Sequence, residues 1–406
     1  LVQAFLELGV EVGYHIPNRF DDGYGLNVKR VEQMAQKGYS LIITVDNGVK
    51  AFEAVERANE LGVDVIITDH HQFDNDLPDA CTFIHTKLSP DYPFKEISGG
   101  FVAYKLASAL LGRQDKYLYC LAAITTVSDM MPLLDENRSL VKKALIFMKE
   151  EKYPSLELLL GNHQTYSTTS IGFVIAPKIN SFGRLPEFCS PNVLVKYFLK
   201  NAPRDFMVKV SQIAISLNTK RQTMTNQQYE MAKEGMGDDF LYWSSDQVHE
   251  GLVGLIAGKY TREYERPGFV MAYDEKKGLY KGSARSIEGF SLHQFFMEHQ
   301  DQFVAFGGHS LAGGFTVDEA HYDSCYPCIK DALKDLHLHP TTTVLHIDEQ
   351  DIDIKNVESL SLLEPFGMSN EEPLYMLKDV PVSQIQQLSQ GKHLKMQTDL
   401  NRSHVS

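Results

Sequence analysis

Carboxylates and imidazoles concentrate in two short runs of this chain, Thr44-Val45-Asp46-Asn47-Gly48 and Thr68-Asp69-His70-His71. Brought together with no cysteine nearby, these side chains suit a hard divalent ion such as Mn2+ or Mg2+ better than a structural zinc. Bringing them together requires particular elements. Each run follows an apolar stretch that reads as a buried strand, Leu41-Ile42-Ile43 and then Val63-Asp64-Val65-Ile66-Ile67. The residues between predict a helix over Val49 to Leu61, closed by Gly62. Strand, helix and strand at this spacing form a βαβ unit with parallel strands. Asp46 and Asp69-His70-His71 then open into one crevice at the carboxyl ends of the strands, where open α/β sheets place their ligands. An aspartate after a strand can equally cap a helix, and a histidine pair can sit in a surface loop. Two such runs at successive strand ends are less easily explained that way.

Strand and helix alternate up to about Leu134. Val10 to Ile16 alternates like a strand, Val28 to Lys37 reads as a helix ended by Gly38, and Tyr117 to Val127 reads as an apolar helix that delivers Asp129. An acidic residue at a helix C-terminus opposes the helix dipole, which a cation partner would offset. From about Asn192 to Lys233 the pattern is helical. Phe206, Val210, Ile213 and Leu217 recur at spacings of four and three, and the polar flanks suit a long helix joining two domains. A second α/β region runs from about Phe240 to Leu338, and short strands with a turn at Pro365-Phe366-Gly367 follow Thr342. The second region holds Gly282-Ser283-Ala284-Arg285-Ser286 and Gly307-Gly308-His309-Ser310. Glycine-rich loops let backbone N–H groups approach an anion, and arginine offers a planar fork matched to phosphate oxygens.

Together, in this order and spacing, the strings around Asp46 and Asp69-His70-His71 resemble the DHH phosphoesterase superfamily, named for the Asp-His-His run. Further strings are similar to those of its RecJ family of single-strand-specific exonucleases: Ile16-Pro17-Asn18-Arg19-Phe20, Ala176-Pro177-Lys178-Ile179-Asn180 through Gly183-Arg184, and Leu363-Glu364-Pro365-Phe366-Gly367. The resemblance covers essentially the whole chain. It implies an α/β fold with a parallel-sheet DHH domain at 1–188, a long connecting helix at 189–234, a smaller α/β DHH-associated substrate-binding domain at 235–338, and the start of an oligonucleotide-binding β-barrel at 342–406. It implies removal of nucleotides from the 5′ end of single-stranded DNA with Mn2+ or Mg2+, in recombination and repair. The chemistry would be two-metal phosphodiester hydrolysis.

By the same resemblance Asp46 is a bridging metal ligand, with His70 and Asp129 each on one ion. Asp69 holds an imidazole from outside the ligand set, and His71 stands close by as ligand or phosphate donor. Arg184 and His309 neutralise phosphates, Asn180 orients backbone or substrate, and Gly307 and Gly308 belong to the substrate loop. Arg19, Ser283 and Arg285 match the positions that grip a 5′-terminal phosphate. A single-strand-binding protein and a helicase are the implied protein partners. The sequence departs from the family pattern in places. The D-x-D-G run that supplies two further ligands is not found, since the chain starts at Leu1, so a fragment with little activity of its own is expected. Lys178 stands for an arginine, Ser181-Phe182 for two small residues, and His85-Thr86 for Asn-Pro.

The 406 residues suffice for two or three domains, and 43% apolar with 23% charged residues is ordinary for a soluble protein. No apolar run approaches the roughly 18 residues of a membrane span. Five cysteines argue against a disulfide framework and fit a reducing compartment such as the cytoplasm. Cys325-Tyr-Pro-Cys328 is a C-x-x-C with His321, His337 and His339 nearby, but it lacks the second ligand pair or βαβ context that would confirm a zinc site or a redox pair. A net charge of −14 argues mildly against a nucleic-acid partner. Two basic stretches, Lys196 to Arg221 and Lys259 to Arg285, are local exceptions that could meet phosphates. Two rival readings remain at this point, a phosphodiesterase of short oligonucleotides or cyclic dinucleotides and a non-catalytic DHH scaffold. The partial barrel favours a long strand over a small nucleotide. Keeping all five of Asp46, Asp69, His70, His71 and Asp129 speaks against a scaffold.

Overall fold

The computed structural model describes residues 1–398 except 19, 21–22, 24, 74–75, 163–164, 238–239, 335–342 and 389–392. Contacts divide the chain into two units, Leu1–Ala176 with Thr342–Ser406, and Pro177–Thr341. The division after Ala176 comes earlier than the expected boundary at 188, and the C-terminal segment joins the first unit.

The first unit opens with helices α1 (Val2–Glu7) and α2 (Val28–Gln36), followed by strand β1 (Leu41–Val45), helix α3 (Phe52–Glu60) and strands β2 (Asp64–Thr68) and β3 (Thr82–Ile84). The three strands form a parallel sheet in the order β1-β2-β3, with Leu41 opposite Asp64 and Val45 opposite Thr68. Left-handed Gly38 and Gly62, with φ of 83° and 67°, follow the ends of α2 and α3. Val31, Val55, Ala58, Val65 and Ile67 are buried between these helices and the sheet. Ile67 is fully enclosed. Ile67→Ala should therefore lower unfolding free energy by about 2–5 kcal/mol, read from urea denaturation.

Two expectations change here. Helix α3 starts at Phe52 rather than Val49, and the Val49 amide ahead of it donates to the Asp69 carboxylate. The strand expected over Val10–Ile16 does not form. None of its residues is buried, so the alternation buries neither face, and among the described strands β1 pairs only with β2.

Helices α4 (Gly99–Leu111), α5 (Lys116–Ser128), α6 (Asp135–Glu150) and α7 (Pro154–Leu160) complete the contiguous part of the unit. The short α8 (Thr168–Ser170) then runs through a π-helical turn at Ile171–Ile175 into α9 (Ala176–Arg184). The C-terminal segment of the unit adds β9 (Leu345–His346), α15 (Ile354–Ser359), β10 (Tyr375–Met376) and the antiparallel hairpin β11 (Val382–Leu388) and β12 (His393–Thr398).

In the second unit α10 (Asn192–Tyr197) is separated from the 29-residue α11 (Arg204–Ala232) by a break before Pro203. A five-stranded sheet follows in the order β4-β5-β6-β8-β7, built from β4 (Leu241–Ser245), β5 (Gly268–Asp274), β6 (Leu279–Arg285), β7 (Ala305–Gly308) and β8 (Ala312–Asp318). Only β4 and β5 are parallel, joined through α12 (Val253–Tyr264). One face buries Tyr229 of α11 with Ile256 and Tyr260 of α12. The other buries Phe269, Phe295 and Phe315 against α13 (Leu292–Glu298) and α14 (Glu319–Leu333). Cys325 lies on α14, buried, with its thiol pushed up to about 12 chiefly by desolvation. A thiol held neutral is a poor nucleophile and a poor metal ligand. His337 and His339 lie outside the described residues. Among the described residues no helix is long and apolar enough to cross a membrane.

Candidate metal centre

At the end of β1 the backbone of Asp46 turns into the left-handed region, with φ of 64°. Few non-glycine residues adopt it, aspartate more readily than most. Its amide stays on the sheet, donating to Thr68 O at 2.9 Å. The Thr68 hydroxyl donates back to Thr44 O at 2.7 Å, so the two strand ends are locked side by side. The side chain of Asp46 is turned toward the N-terminus of α4, where only glycine fits. A Cβ on Gly99 would stand 2.6 Å from the Asp46 Cβ and collide with its carboxylate. Ser98 caps α4, accepting from Phe101 N at 3.2 Å, and its hydroxyl lies 3.1 Å from those of Thr125 and Thr126 on α5. The helix that carries Asp129 is thereby tied to the glycine that makes room for Asp46.

Asp69 is buried and acts as a bracket. One carboxylate oxygen accepts from Val49 N at 3.2 Å. The other accepts from His70 N at 2.8 Å and lies 2.7 Å from His71 Nδ1. Burial pushes the Asp69 carboxyl up, yet the His71 imidazole and these amides outweigh it and hold it below the usual range. Conversely, the hydrogen bond to Asp69 raises His71, against its own burial, with Asp46 and Asp129 adding to the attraction. Beneath the loop, buried His85 reaches His71 O at 3.0 Å and accepts from Lys87 N at 3.1 Å. Desolvation lowers its pKa.

These elements bring the predicted residues together. His70 Nε2 lies 3.1 Å from Asp46 Oδ1 and 3.4 Å from Asp129 Oδ2. Ligand atoms of Asp46, His70 and His71 lie within 4.8 Å of one another, and this is the one such group among the described residues. Two carboxylates and two imidazoles facing one another, with the nearer imidazole largely enclosed, form a donor set that suits a hard divalent ion.

The remaining candidates lie in the second unit. On β6, Arg285 Nη1 donates to Ser283 Oγ and Ala284 O, both at 2.8 Å. The guanidinium and the Ser283 hydroxyl flank the first turn of α12, where a Cβ on Gly254 would come within 3.0 Å of each. Arg184 Nη1 donates to Gly251 O at 3.1 Å, and Asn180 is exposed on α9. Gly307, Gly308 and His309 form the exposed tip of the β7–β8 hairpin, where His309 N donates to Ala312 O at 2.8 Å. Arg19 lies outside the described residues. Sequence reasoning noted His85 only as a departure from the family pattern, and passed over the Ser98-Gly99 pair and Gly251 with Gly254. The glycines stand in the sequence as Gly99-Gly100 and Gly251-x-x-Gly254, with no helix expected at either place.

Residues 1–127 match the DHH family, N-terminal domain, residues 237–336 the DHHA1 domain, and residues 345–406 the RecJ OB domain. The single-stranded-DNA-specific exonuclease RecJ of Bacillus subtilis is 33% identical over 98% of this chain and 52% of its own length. RecJ of Dickeya dadantii is 30% identical over 96% of this chain and 73% of its own. The chain belongs to the RecJ family. The crystal structure of Thermus thermophilus RecJ in complex with Mn2+ superposes with a TM-score of 0.85 at 26% identity, covering all of this chain and 61% of that one. The chain thus spans about half the length of the Bacillus RecJ. Asp46 and the Asp69-His70-His71 run fall in its DHH match, and Ser283, Arg285 and the Gly307–His309 tip in its DHHA1 match.

Proposed function

We propose that the protein is a metal-dependent exonuclease that degrades single-stranded DNA from its 5′ end, in DNA recombination and repair. The observation that carries this reading is the meeting of Asp46, His70 and Asp129 at parallel strand ends, in a chain of the RecJ family. Asp46, His70 and Asp129 would hold Mn2+ or Mg2+, with His71 beside them. A bound ion of this kind supplies water activation near neutral pH and neutralises charge at phosphorus.

The chain's own groups do the rest. Asp69 accepts from His71 Nδ1, which leaves the other ring nitrogen free to act as ligand or to donate to a phosphate oxygen. Asp46, pinned by its backbone bond to Thr68, keeps its carboxylate on the crevice side without reorganisation. Arg184, Asn180 and the Gly307-Gly308-His309 tip would contact the phosphates of the strand. Arg285 and Ser283, at the first turn of α12, offer charged and hydroxyl donors suited to a terminal phosphate, and Arg19 would join them. A single-strand-binding protein and a helicase would be its working partners.

The test follows degradation of a long strand labelled at one end, in Mn2+, beside a dinucleotide and a cyclic dinucleotide. In a RecJ-family protein that carries this chain together with a D-x-D-G run, mononucleotide release from the 5′ end of the long strand is expected. Activity confined to the dinucleotides would replace this reading with a short-oligonucleotide phosphodiesterase. In the same assay Arg285→Ala should slow 5′-phosphorylated strands much more than 5′-hydroxyl strands, by about 1.5–3 kcal/mol, the range of a charge-assisted contact. An equal loss on both would remove Arg285 from end recognition.

A further inference from the structure

The segment Leu362–Asn370, in the same unit as the metal centre, is docked on the loop that carries Asp129. That loop leaves α5 through Met130, whose φ of 54° turns the chain sharply. It is then fixed at three points. Met131 N donates to Thr126 O at 3.0 Å, buried Asn137 donates to Pro132 O at 2.9 Å, and Leu133 N donates to Met368 O at 2.7 Å. The first two partners are local and the third is not.

Around that third point the contact is extensive. Arg138 Nη2 reaches the carbonyls of Leu362, Leu363 and Glu364 at 3.1, 2.9 and 3.1 Å. Asn370 closes the segment's own turn, donating to Leu363 O at 3.0 Å and Pro365 O at 2.9 Å. The Leu133 side chain is buried, and Gly367 packs on it so closely that a Cβ there would stand 2.6 Å from Leu133 Cδ1. A bare surface loop of this length, with a left-handed residue next to its functional carboxylate, would sample several conformations. The docked segment removes that freedom.

We propose that Leu362–Asn370 is a positioning element of the metal centre, holding the 129–134 loop so that the Asp129 carboxylate stays within reach of His70. Gly367, Leu133 and Arg138 are its positioning residues. The inference rests on the reading of Asp129 as a metal ligand. Coupling of this kind is reciprocal: whatever the segment contributes to metal affinity, the metal returns as order in the segment.

The test measures Mn2+ binding to the full chain by the electron paramagnetic resonance of the free ion. Gly367→Ala and Arg138→Ala should each weaken binding by about tenfold, the scale on which supports of a metal ligand act. Ile329→Ala, a cavity in the buried core of the second unit, should lower the melting temperature and leave Mn2+ affinity unchanged. In a Leu133→Ala background the clashing atom is gone, so adding Gly367→Ala should cost no further affinity. Hydrogen exchange supplies a second readout, in which Mn2+ slows exchange of the Leu133 amide in the parent chain and not in Asp46→Asn. Loss of affinity in Asp46→Asn with none in Gly367→Ala or Arg138→Ala would overturn the positioning role and leave the metal centre standing. Unchanged affinity in Asp46→Asn would overturn both. A Gly367→Ala penalty that persists without the Leu133 side chain, or an equal penalty from Ile329→Ala, would reduce the segment to a general stabiliser.

Discussion

Asp46→Asn should remove divalent-metal binding while leaving the fold intact. The substitution preserves size and shape, and the backbone bond from residue 46 to Thr68 O does not involve the side chain. It removes one of the two carboxylate charges that face His70. Outer partners of metal ligands are worth about 10–100-fold in affinity, and a ligand that faces the ion directly should exceed that range. Titration of Mn2+ into parent and variant, with circular dichroism as the control on folding, decides the matter. An affinity within about threefold of the parent would mean that Asp46 is no ligand, since the loss of a direct ligand is larger than that of its supports. Hydrolysis should fall with binding, because the charge that develops at phosphorus would lose its counter-ion.

Gly99→Ala should lower metal affinity without raising stability. Residue 99 is the first of α4, outside the helix interior where alanine gains most over glycine. The Asp46 Cβ that the new methyl group would meet is fixed to the backbone, so the melting temperature should not rise. The methyl group would also occupy the volume of the Asp46 carboxylate. The carboxylate must swing away, and Mn2+ affinity should fall by about tenfold or more, as for other losses of ligand placement. Equal affinity in the two proteins would show that Asp46 has room to spare.

Much of this site was legible because it is local. Two strand ends joined by one helix place Asp46 and the Asp69-His70-His71 run in the same crevice by topology alone, and the apolar runs, the helix and Gly62 are all written within 31 residues of one another in the sequence. Asp129 was legible as a helix-terminal acid, but spacing could not place it beside His70; only the resemblance did. The failed strand at Val10–Ile16 shows the limit of alternation, which describes a surface preference and not the existence of a pairing partner. The roles of His85 and Gly99 were missed for a related reason. Their roles lie in what they touch, a carbonyl of His71 and the carboxylate of Asp46, and neither neighbour is close in sequence. The Leu363–Gly367 string was recognised as a turn, while its docking on Leu133 and Arg138 spans more than 220 residues and leaves no periodic trace.

The same separation bears on how the chain tolerates change. One compact unit contains both ends of the described chain, and Pro177–Thr341 departs from it and returns. Joining Leu133 to Met368 therefore closes a very long loop, and the entropy of such closure grows only with the logarithm of its length. Doubling the excursion adds about 0.6 kcal/mol. Insertions and deletions anywhere in the excursion thus weigh little on the Leu133–Met368 junction, so the second unit is free to diverge in size without loosening the carboxylate that the first unit presents.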